Sequence, residues 1–312
     1  MLLHTKLSPH LQKLVDTNSA MKKQFIPSQL EFNQKEACDS FVDPLLEEDH
    51  TVCRGMVHKY PNRVLVLLTL NCAAYCRFCT RRRKVSDVSK GIITDVDITN
   101  MEKYLISHSE INEIVFSGGD PLTVPTILKK VLKRFCRLPQ IKVIRVGTRL
   151  HLSNPKAVDD KVLDALRIVK KQPLYLMVHF EHPAEINTDT IEAIKRLQSV
   201  ATMLLSQSVS LKGVNDSVPI LEELFTRLVQ IGVKPYYFFR CDLVRGTEHF
   251  MVDFKKERKI FTALRSHLSG LATPLYVIDA PDGNGKIPVP LDYWDFSEKY
   301  YRDFKGKKIA VK

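Results

Sequence analysis

Three closely spaced cysteines are the residues of this sequence whose types and spacing indicate unusual chemistry. Cys72, Cys76 and Cys79 form a C-x3-C-x2-C triplet that directly follows the apolar run Val64–Leu70. Zinc in a structural site takes four protein ligands, and iron–sulfur clusters ordinarily take four cysteines. The triplet therefore predicts a four-iron cluster in which one iron stays open to an outside ligand. The alternatives are a zinc site that borrows a distant ligand and three unrelated cysteines.

A lysine near the C-terminus is the second candidate. Lys286 lies within the segment Val277–Pro290, after a glycine-rich bend and before two prolines. A phosphate-binding P-loop would need glycine in place of Ala280 and serine or threonine in place of Ile287, so that function is excluded. A lysine after such a bend and before a rigid stretch is held in place and is not free to move. Taken alone, the segment favours a solvated loop lysine.

The third candidate is the turn Ser117-Gly118-Gly119-Asp120, which follows a predicted strand. The two glycines would let the backbone approach a ligand closely, and exposed amides together with Asp120 would hold an α-amino group. Outside the context of the cysteine triplet, the same residues would form only a tight turn between a strand and a helix.

Composition limits the class of protein. The chain has 312 residues and is 44% hydrophobic, which suffices for one large α/β domain or two small ones. We find no run of about eighteen apolar residues and no secretory signal, and therefore expect a cytoplasmic protein without a membrane partner. The seven cysteines are an odd number, which excludes a complete disulfide framework. The net charge of +12 is spread along the chain without a recognition motif, so no specific nucleic-acid partner is expected.

Short apolar runs alternate with amphipathic helical patterns after residue 60. The predicted strands are Val64–Leu68, Glu113–Phe116, Lys142–Gly147, Leu174–His179, Met203–Val209 and Tyr236–Arg240. Helical spacing of apolar residues follows in the stretches 127–135, 162–169, 191–197 and 220–228.

Six strands that are each followed by a helix predict a parallel sheet with right-handed crossovers. Bent around, this sheet gives a partial (β/α)6 barrel, whereas a doubly wound open sheet would use the same alternation. In both folds the site lies at the carboxyl ends of the strands. We expect a helical and loop-like N-terminal extension at residues 1–60, the barrel at 61–270 and a short C-terminal segment with the lysine at 271–312.

From about Asp43 to Pro290 the chain resembles the lysine 2,3-aminomutase family, whose members are radical S-adenosylmethionine enzymes that also use pyridoxal 5′-phosphate. The motifs that carry the resemblance are HKYPNR, CAAYCRFCTRRR, FSGGDPL, HFEHPAEI, QSVSLKGVND, KPYYFFRCDLVRGTEHF and DAPDGNGKIPV. The resemblance favours the barrel over the open sheet.

The resemblance implies three cofactors and assigns residues to each. Cys72, Cys76 and Cys79 would hold a [4Fe-4S] cluster, and Lys286 would hold pyridoxal 5′-phosphate as an imine. The cofactor phosphate would be bound by Arg63, Lys59 and Tyr60, where relatives carry arginine in place of Lys59. S-adenosylmethionine would be bound by Phe78, Ser117, Gly118, Gly119, Asp120, His179 and Gln207.

The resemblance also assigns the substrate residues. Arg81 would bind the α-carboxylate, and Asp242 and Asp279 would hold the side-chain ammonium of L-lysine. The implied activity is that of an isomerase that converts L-lysine to β-lysine (3,6-diaminohexanoate). Because a glutamate-acting relative would not be expected to keep both acids, lysine is favoured. The alternative substrates are glutamate and arginine.

The role in the cell and the partners follow only from the resemblance. The chain ends 26 residues after Lys286 (312 − 286) without a further cysteine, which resembles the short branch that supplies β-lysine for modification of elongation factor P. Lysine catabolism is the alternative role. The implied electron donor is a reductant such as flavodoxin or ferredoxin, and a homo-oligomer stays open.

Overall fold

The protein is described by a computed structural model that covers residues 3–32, 42–85, 91–280, 284–291, 300–302 and 307–310. Ten strands form one sheet in sequential order: β1 (Thr51–Cys53), β2 (Met56–Tyr60), β3 (Arg63–Thr69), β4 (Glu113–Gly118), β5 (Val143–Thr148), β6 (Leu174–His179), β7 (Met203–Val209), β8 (Val233–Phe239), β9 (Leu275–Ala280) and β10 (Gly285–Pro288). A separate hairpin pairs β11 (Tyr300–Arg302) with β12 (Lys308–Ala310).

Ten α-helices accompany the strands. They are α1 (Pro9–Thr17), α2 (Ser19–Phe25), α3 (Arg82–Val85), α4 (Asp95–Ser107), α5 (Pro125–Phe135), α6 (Leu150–Ser153), α7 (Asp160–Leu166), α8 (Thr188–Gln198), α9 (Val218–Gln230) and α10 (Phe254–His267), counted over the described residues.

Strands β3 to β9 run parallel, and each pairs with the next strand along the chain. A doubly wound sheet reverses its strand order at a switch point. No such reversal occurs among the described strands, so the sheet is the partial β/α barrel that was predicted. All six predicted parallel strands are confirmed, and β9 adds a seventh.

Alternation along each strand separates two faces. In β4, Ile114 and Phe116 are fully buried, whereas Val115 and Ser117 between them are only half-buried. Ile114 and Phe116 pack against the helices and belong to the main hydrophobic core. Burial of this core is the dominant favourable contribution to folding. The second pair faces the inside of the curved sheet. The concave face thus carries both apolar and polar side chains, such as Val115 and Ser117.

Residues 51–60 differ from the expected helical and loop-like character. They form the antiparallel pair β1 and β2, and β2 continues the sheet beyond β3. Gly55, at φ 81°, makes the tight turn between them, and Met56 and Val57 are buried against the core. The expectation was wrong here because β1 has only three residues and β2 buries Met56 and Val57 in succession, so neither strand shows period-two alternation.

The N-terminal helices lie against the cysteine segment. Leu11, Val15 and Met21 of α1 and α2 pack with Ala74 and Leu152. No described helix has both the length and the apolar character needed to span a bilayer.

Candidate active site

A cavity of about 450 Å³ opens at the carboxyl ends of the parallel strands. Side chains from β2 to β10 and from the loop after β3 line it. All of the predicted site residues lie in its wall: Lys59, Tyr60, Arg63, Cys72, Cys76, Phe78, Cys79, Arg81, Ser117, Gly118, Gly119, Asp120, His179, Gln207, Asp242, Asp279 and Lys286. The fold therefore brings the cysteine triplet and the late lysine to one space.

The three thiols lie in the loop between β3 and α3. Cys72 and Cys79 pack beside Leu3, Tyr75 and Val85, in a small cluster of their own. Burial raises the pKa of both thiols, to about 11 for Cys79, and each thiol feels the negative charge of another member of the triplet. A group that neutralises several thiolates would relieve this repulsion.

The arrangement of the thiols bears on the zinc alternative. Among the described residues, no three His, Cys, Asp or Glu side chains converge on a point that could hold one metal ion. A four-iron cluster places each cysteine on a different iron, so its ligands surround a volume instead of a point. The three cysteines line one cavity, where such a cluster would be held.

The Ser117–Asp120 turn anchors the cysteine loop. The amide of Gly119 donates to the carbonyl of Thr69 at 2.6 Å, and the amide of Asp120 donates to the carbonyl of Asn71 at 2.8 Å. A Cβ on Gly118, which has φ 122°, would stand 2.3 Å from the Thr69 oxygen. The expectation of exposed amides was wrong for Gly119 and Asp120, because the carbonyl groups of Thr69 and Asn71 already accept from them.

The carboxylate of Asp120 is also engaged within the protein. It accepts from the amide of Leu122 at 3.0 Å, from the hydroxyl of Thr148 at 2.9 Å and from the amide of Arg149 at 2.8 Å. Burial raises its pKa, and these hydrogen bonds oppose the rise. Asp120 thus ties the ends of β4 and β5 together, which is the turn-capping function that these residues have outside the cysteine context.

Arg81 has a partner that sequence reasoning missed. Its Nε donates to Oε1 of Glu47 at 2.8 Å, its Nη2 lies 2.7 Å from the same oxygen, and its Nη1 donates to Ser117 Oγ at 3.1 Å. Glu47 is buried, and its second oxygen lies 3.6 Å from Nζ of Lys84. The guanidinium is held rigidly in the cavity wall with one edge already paired.

Lys286 lies between an acid and an aromatic ring. Its Nζ donates to Oδ1 of Asp279 at 2.6 Å, and it stands 4.9 Å from the centre of the Phe239 ring. Register explains the ion pair, since Lys286 on β10 is directly opposite Asp279 on β9. Strand pairing therefore fixes the position of this amine.

Asp242 is a carboxylate near these groups without a described ion pair. It lies three residues beyond the end of β8 and accepts from the hydroxyl of Thr80 at 3.2 Å. Burial, and then the negative charge of Asp279, raise the pKa of Asp242 to about 7. A cation placed beside it would stabilise the charged form.

A cationic region lies at the β2–β3 side of the cavity. The Arg63 guanidinium is 3.8 Å and Lys59 Nζ is 5.5 Å from the centre of the Tyr60 ring. Burial lowers the pKa of Lys59, which Asp279 counteracts. Arg145, a residue that sequence reasoning missed, lines the same cavity from β5. These side chains offer donors to an anionic group.

The remaining predicted residues lie on β6, β7 and the cysteine loop. His179 is directly opposite Gln207 in the sheet, and its Nδ1 is 3.5 Å from the buried carboxylate of Glu181. Phe78 meets the ring of Phe250 edge to face with 6.2 Å between centres. Phe78 also lines the cavity, so its ring can contact a ligand as well as pack against Phe250.

Arg149 is another cavity residue that the sequence analysis did not identify. It follows β5 directly and donates from Nη1 to the sulfur of Cys76 at 2.9 Å. A signal was present, since an arginine at the carboxyl end of a barrel strand lies at the level of the site.

Comparison with known proteins agrees with this geometry. A model of the family described as Lysine-2,3-aminomutase matches residues 261–306. The chain is 36% identical to the L-lysine 2,3-aminomutase of Fusobacterium nucleatum over 93% of this chain and 68% of that protein. It is 36% identical to the L-lysine 2,3-aminomutase of Clostridium subterminale over 93% of this chain and 70% of that one.

The chain is also similar to a glutamate-acting relative and to one solved structure. The glutamate 2,3-aminomutase of Clostridioides difficile is 32% identical over 98% of this chain and 72% of its own length. The crystal structure of a radical SAM methyltransferase from Sphaerobacter thermophilus is similar in fold, with a TM-score of 0.51 and 15% identity over 72% of this chain and 68% of that one. Identity above 30% over most of both chains decides the family. The chain belongs to the lysine 2,3-aminomutase family.

Proposed function

We propose that this protein is a radical S-adenosylmethionine isomerase that converts L-lysine to β-lysine by moving the amino group from C2 to C3. The observation that carries the proposal is the single cavity in which the thiols of Cys72, Cys76 and Cys79 and the amine of Lys286 are all in the wall. A reaction that uses both a radical source and an aldehyde cofactor requires the two groups to share one space.

Three groups fit the residues of the cavity. The thiols of the triplet would bind a [4Fe-4S] cluster, and the adjoining wall of Phe78, His179 and Gln207 would receive S-adenosylmethionine. Lys286 would bind pyridoxal 5′-phosphate. When bound, the cluster and S-adenosylmethionine supply a carbon radical that removes a hydrogen atom, and pyridoxal 5′-phosphate supplies the conjugated aldehyde that carries the migrating nitrogen.

Lys59 and Arg63 would bind the phosphate group. Arg63 has its guanidinium stacked on Tyr60, which fixes the plane of its donors. A Cβ on Gly285 would lie 3.6 Å from the Tyr60 hydroxyl, so the residue before Lys286 is adjacent to the same ring. The phosphate region and the amine are therefore connected through one side chain.

Asp279 would accept the proton that Lys286 must lose before it binds the aldehyde. An amine attacks an aldehyde only in its neutral form, and Oδ1 of Asp279 lies 2.6 Å from Nζ, close enough to hold the proton that leaves. Asp242 is not required for that transfer. It is the acid that we assign to the ammonium group of the substrate.

The charge of the cavity favours lysine over glutamate. Asp242 has a pKa of about 7 because it is buried near Asp279, and a substrate ammonium would compensate both acids. A glutamate side chain would instead add a third carboxylate. Arg81 would bind the substrate carboxylate through the edge of its guanidinium that does not contact Glu47.

Apolar side chains would protect the reaction. Leu65, Met177, Val209 and Phe239 line the cavity between the polar groups. Such walls exclude water and leave few groups near a reactive carbon. Use of β-lysine for elongation factor P, use in catabolism and the identity of the reductant stay predictions.

The test is substrate preference in reconstituted protein. Anaerobic protein that carries iron, sulfide and pyridoxal 5′-phosphate is incubated with S-adenosylmethionine, dithionite and either L-lysine or L-glutamate, and products are separated by chiral chromatography. We expect β-lysine from lysine and no β-glutamate. Conversion of glutamate alone would move the protein to the glutamate-acting branch, and conversion of neither, in protein with a full cluster, would refute an aminomutase acting on these two substrates.

A further inference from the structure

Arg149 is the centre of a buried polar network beside the cysteine triplet. Its Nη1 donates to Cys76 Sγ at 2.9 Å, and its Nη2 donates to Oε1 of Gln24 at 2.6 Å and lies 3.0 Å from Oε1 of Glu185. The side chain of Arg149 is only 10% exposed, and that of Glu185 is fully buried. Arg149 thus makes hydrogen bonds to three separate parts of the chain.

The partners of Arg149 fix its direction. Nε2 of Gln24 donates to Glu185 Oε1 at 2.9 Å, and the amide of Glu181 donates to the same oxygen at 3.1 Å. The guanidinium also lies 4.9 Å from the centre of the Phe25 ring and 5.4 Å from that of Phe78. With its two rings and its acceptors in place, Arg149 cannot turn away from Cys76 without losing buried hydrogen bonds.

We propose that Arg149 sets the reduction potential of the cluster through its hydrogen bond to the sulfur of Cys76. This inference rests on the proposed function, in which Cys76 is a cluster ligand. Reduction adds one electron from an external reductant to the cluster and so increases the negative charge on the iron–sulfur core and its thiolates. A positively charged donor at one ligand sulfur stabilises that reduced form, which raises the potential.

The proposal gives the N-terminal helix α2 a part in the same function. Gln24 comes from α2, and its backbone carbonyl accepts from the amide of Arg77 in the cysteine loop at 2.7 Å. One residue of α2 therefore contacts both the loop and the arginine. Gln24 is a positioning residue, whereas Arg149 acts on the sulfur directly.

The variant that isolates this role is the double substitution Arg149→Gln/Glu185→Gln. It removes the donor charge together with the acid paired with it, and the buried Glu181 keeps the amide of Val209 and the ring of His179 as partners. Arg149→Lys is the second variant, because it keeps the charge but loses the two-pronged geometry. The matched control is Arg134→Gln/Glu102→Gln, which removes another Arg–Glu pair, with 3.0 Å between Nε and Oε2, from the partly exposed outer helices α5 and α4.

The measurement is the midpoint potential of the cluster in anaerobically reconstituted protein, followed by electron paramagnetic resonance during a redox titration. We expect the double variant to shift to a more negative potential, Arg149→Lys to shift less in the same direction, and the control pair to keep the wild-type value. A wild-type potential in the double variant would overturn the proposal. Should the double variant bind no cluster, a wild-type potential in Arg149→Lys would overturn it equally. Absence of any cluster from the wild-type protein would instead refute the proposed function.

Discussion

Asp242 is the residue at which burial and charge conflict most clearly. It lines a cavity that already holds Asp279, and its described hydrogen bond comes from a neutral hydroxyl, that of Thr80. Its pKa of about 7 records the resulting destabilisation of the carboxylate. A carboxylate whose charged form is destabilised in this way contributes little to the stability of the fold, but it is suited to bind a cation. We therefore assign Asp242 to the substrate ammonium.

The first prediction concerns lysine binding. We expect Asp242→Asn to lower kcat/KM for lysine by about 30-fold or more, because the loss of one partner of a buried charge pair costs about 2–5 kcal/mol. In the wild type, KM should rise as the pH falls through about 7, since Asp242 gains a proton and loses its charge. Steady-state kinetics from pH 6 to 8.5 measure both effects.

The exposed Asp164 provides the control, since it pairs with Arg167 one helical turn later on the surface. Asp164→Asn should leave KM and its pH dependence unchanged. A wild-type pH profile in Asp242→Asn would contradict the assignment.

The second prediction concerns stability. The folded pKa of Asp242 lies above the ordinary value of 3.8, so the folded state binds this proton more tightly than the unfolded chain does. The carboxylate therefore lowers the free energy of unfolding progressively as the pH rises from about 4 to about 7. Asp242→Asn should raise Tm at pH 8 relative to the wild type, and the difference should shrink toward pH 4. Calorimetry at pH 4 and pH 8 measures these Tm values. A lower Tm for Asp242→Asn than for the wild type at pH 8 would contradict the prediction.

Spacing made some of these residues predictable. The cysteine triplet is contained in eight consecutive residues, and Lys286 belongs to a short segment with its own turn signal. The contact of Arg149 with Cys76 instead joins residues 73 apart, and that of Arg81 with Glu47 joins residues 34 apart. Such pairs depend on which strands and loops become neighbours, so no local pattern indicates them.

At the scale of elements, the turn after β4 holds the cysteine loop in place. Gly118 and Gly119 bring the backbone so close to the end of β3 that no side chain fits, and the Gly119 amide bonds to Thr69. The glycines were predicted to allow close approach of a ligand. What they approach is the backbone of residues 69–71, which positions the first cysteine.

The third prediction tests this contact. A Cβ on Gly119 would lie 2.3 Å from the carbonyl oxygen of Asn71. Gly119→Ala should therefore lower the free energy of unfolding by roughly 2–4 kcal/mol, through overpacking and a weakened hydrogen bond, and reduce the iron bound per chain. Denaturant unfolding and iron analysis measure the two effects.

Gly270 is the matched glycine, because a Cβ there would have no heavy atom within 4 Å. Gly270→Ala should change stability by less than about 1 kcal/mol and leave iron binding intact. Equal behaviour of the two variants would mean that the turn does not position the loop.

Strand pairing was harder to foresee than the strands themselves. The order from β3 to β9 follows from the alternation of strands and helices, and the seventh parallel strand continues it. The short β1 and β2 were missed, and with them the way in which Lys59 and Tyr60 join the sheet. Their placement depends on the free edge of β3, which the sequence of residues 51–60 does not contain.

At the scale of the whole molecule, a buried charge network joins the N-terminal segment to the cysteine loop. Glu31 pairs with both Arg77 and Arg82, and Arg77 also donates to the backbone carbonyl of Leu3 at 2.8 Å. The side chains of Glu31 and Arg77 are almost completely buried. The chain therefore closes over the outer side of the loop that presents the thiols.

The fourth prediction is that Glu31→Gln lowers the free energy of unfolding by about 3–5 kcal/mol, because two buried arginines lose their counter-charge. Burial alone would raise the pKa of Glu31, but the hydrogen bonds from Arg77 and Arg82 hold it below 4.5. Its stabilising contribution is thus present above pH 4.5 and is lost as the pH falls below that value. Denaturant unfolding at pH 7 and pH 4 measures the effect.

The exposed Glu223, which pairs with Arg227 on α9, is the control for this prediction. Glu223→Gln should change stability by no more than about 0.5 kcal/mol. A similarly small change in Glu31→Gln would show that the buried network does not hold the two segments together.

The central claim is that one cavity joins a radical source at the cysteine triplet to an aldehyde cofactor at Lys286, and that the two together move an amino group. The most direct measurement follows the nitrogen itself, by nuclear magnetic resonance of products formed anaerobically from L-lysine labelled with ¹⁵N at C2. The account predicts β-lysine with the label on C3 from the wild type and none from Lys286→Ala or Cys76→Ser. Unlabelled nitrogen at C3, or undiminished product from either variant, would contradict it.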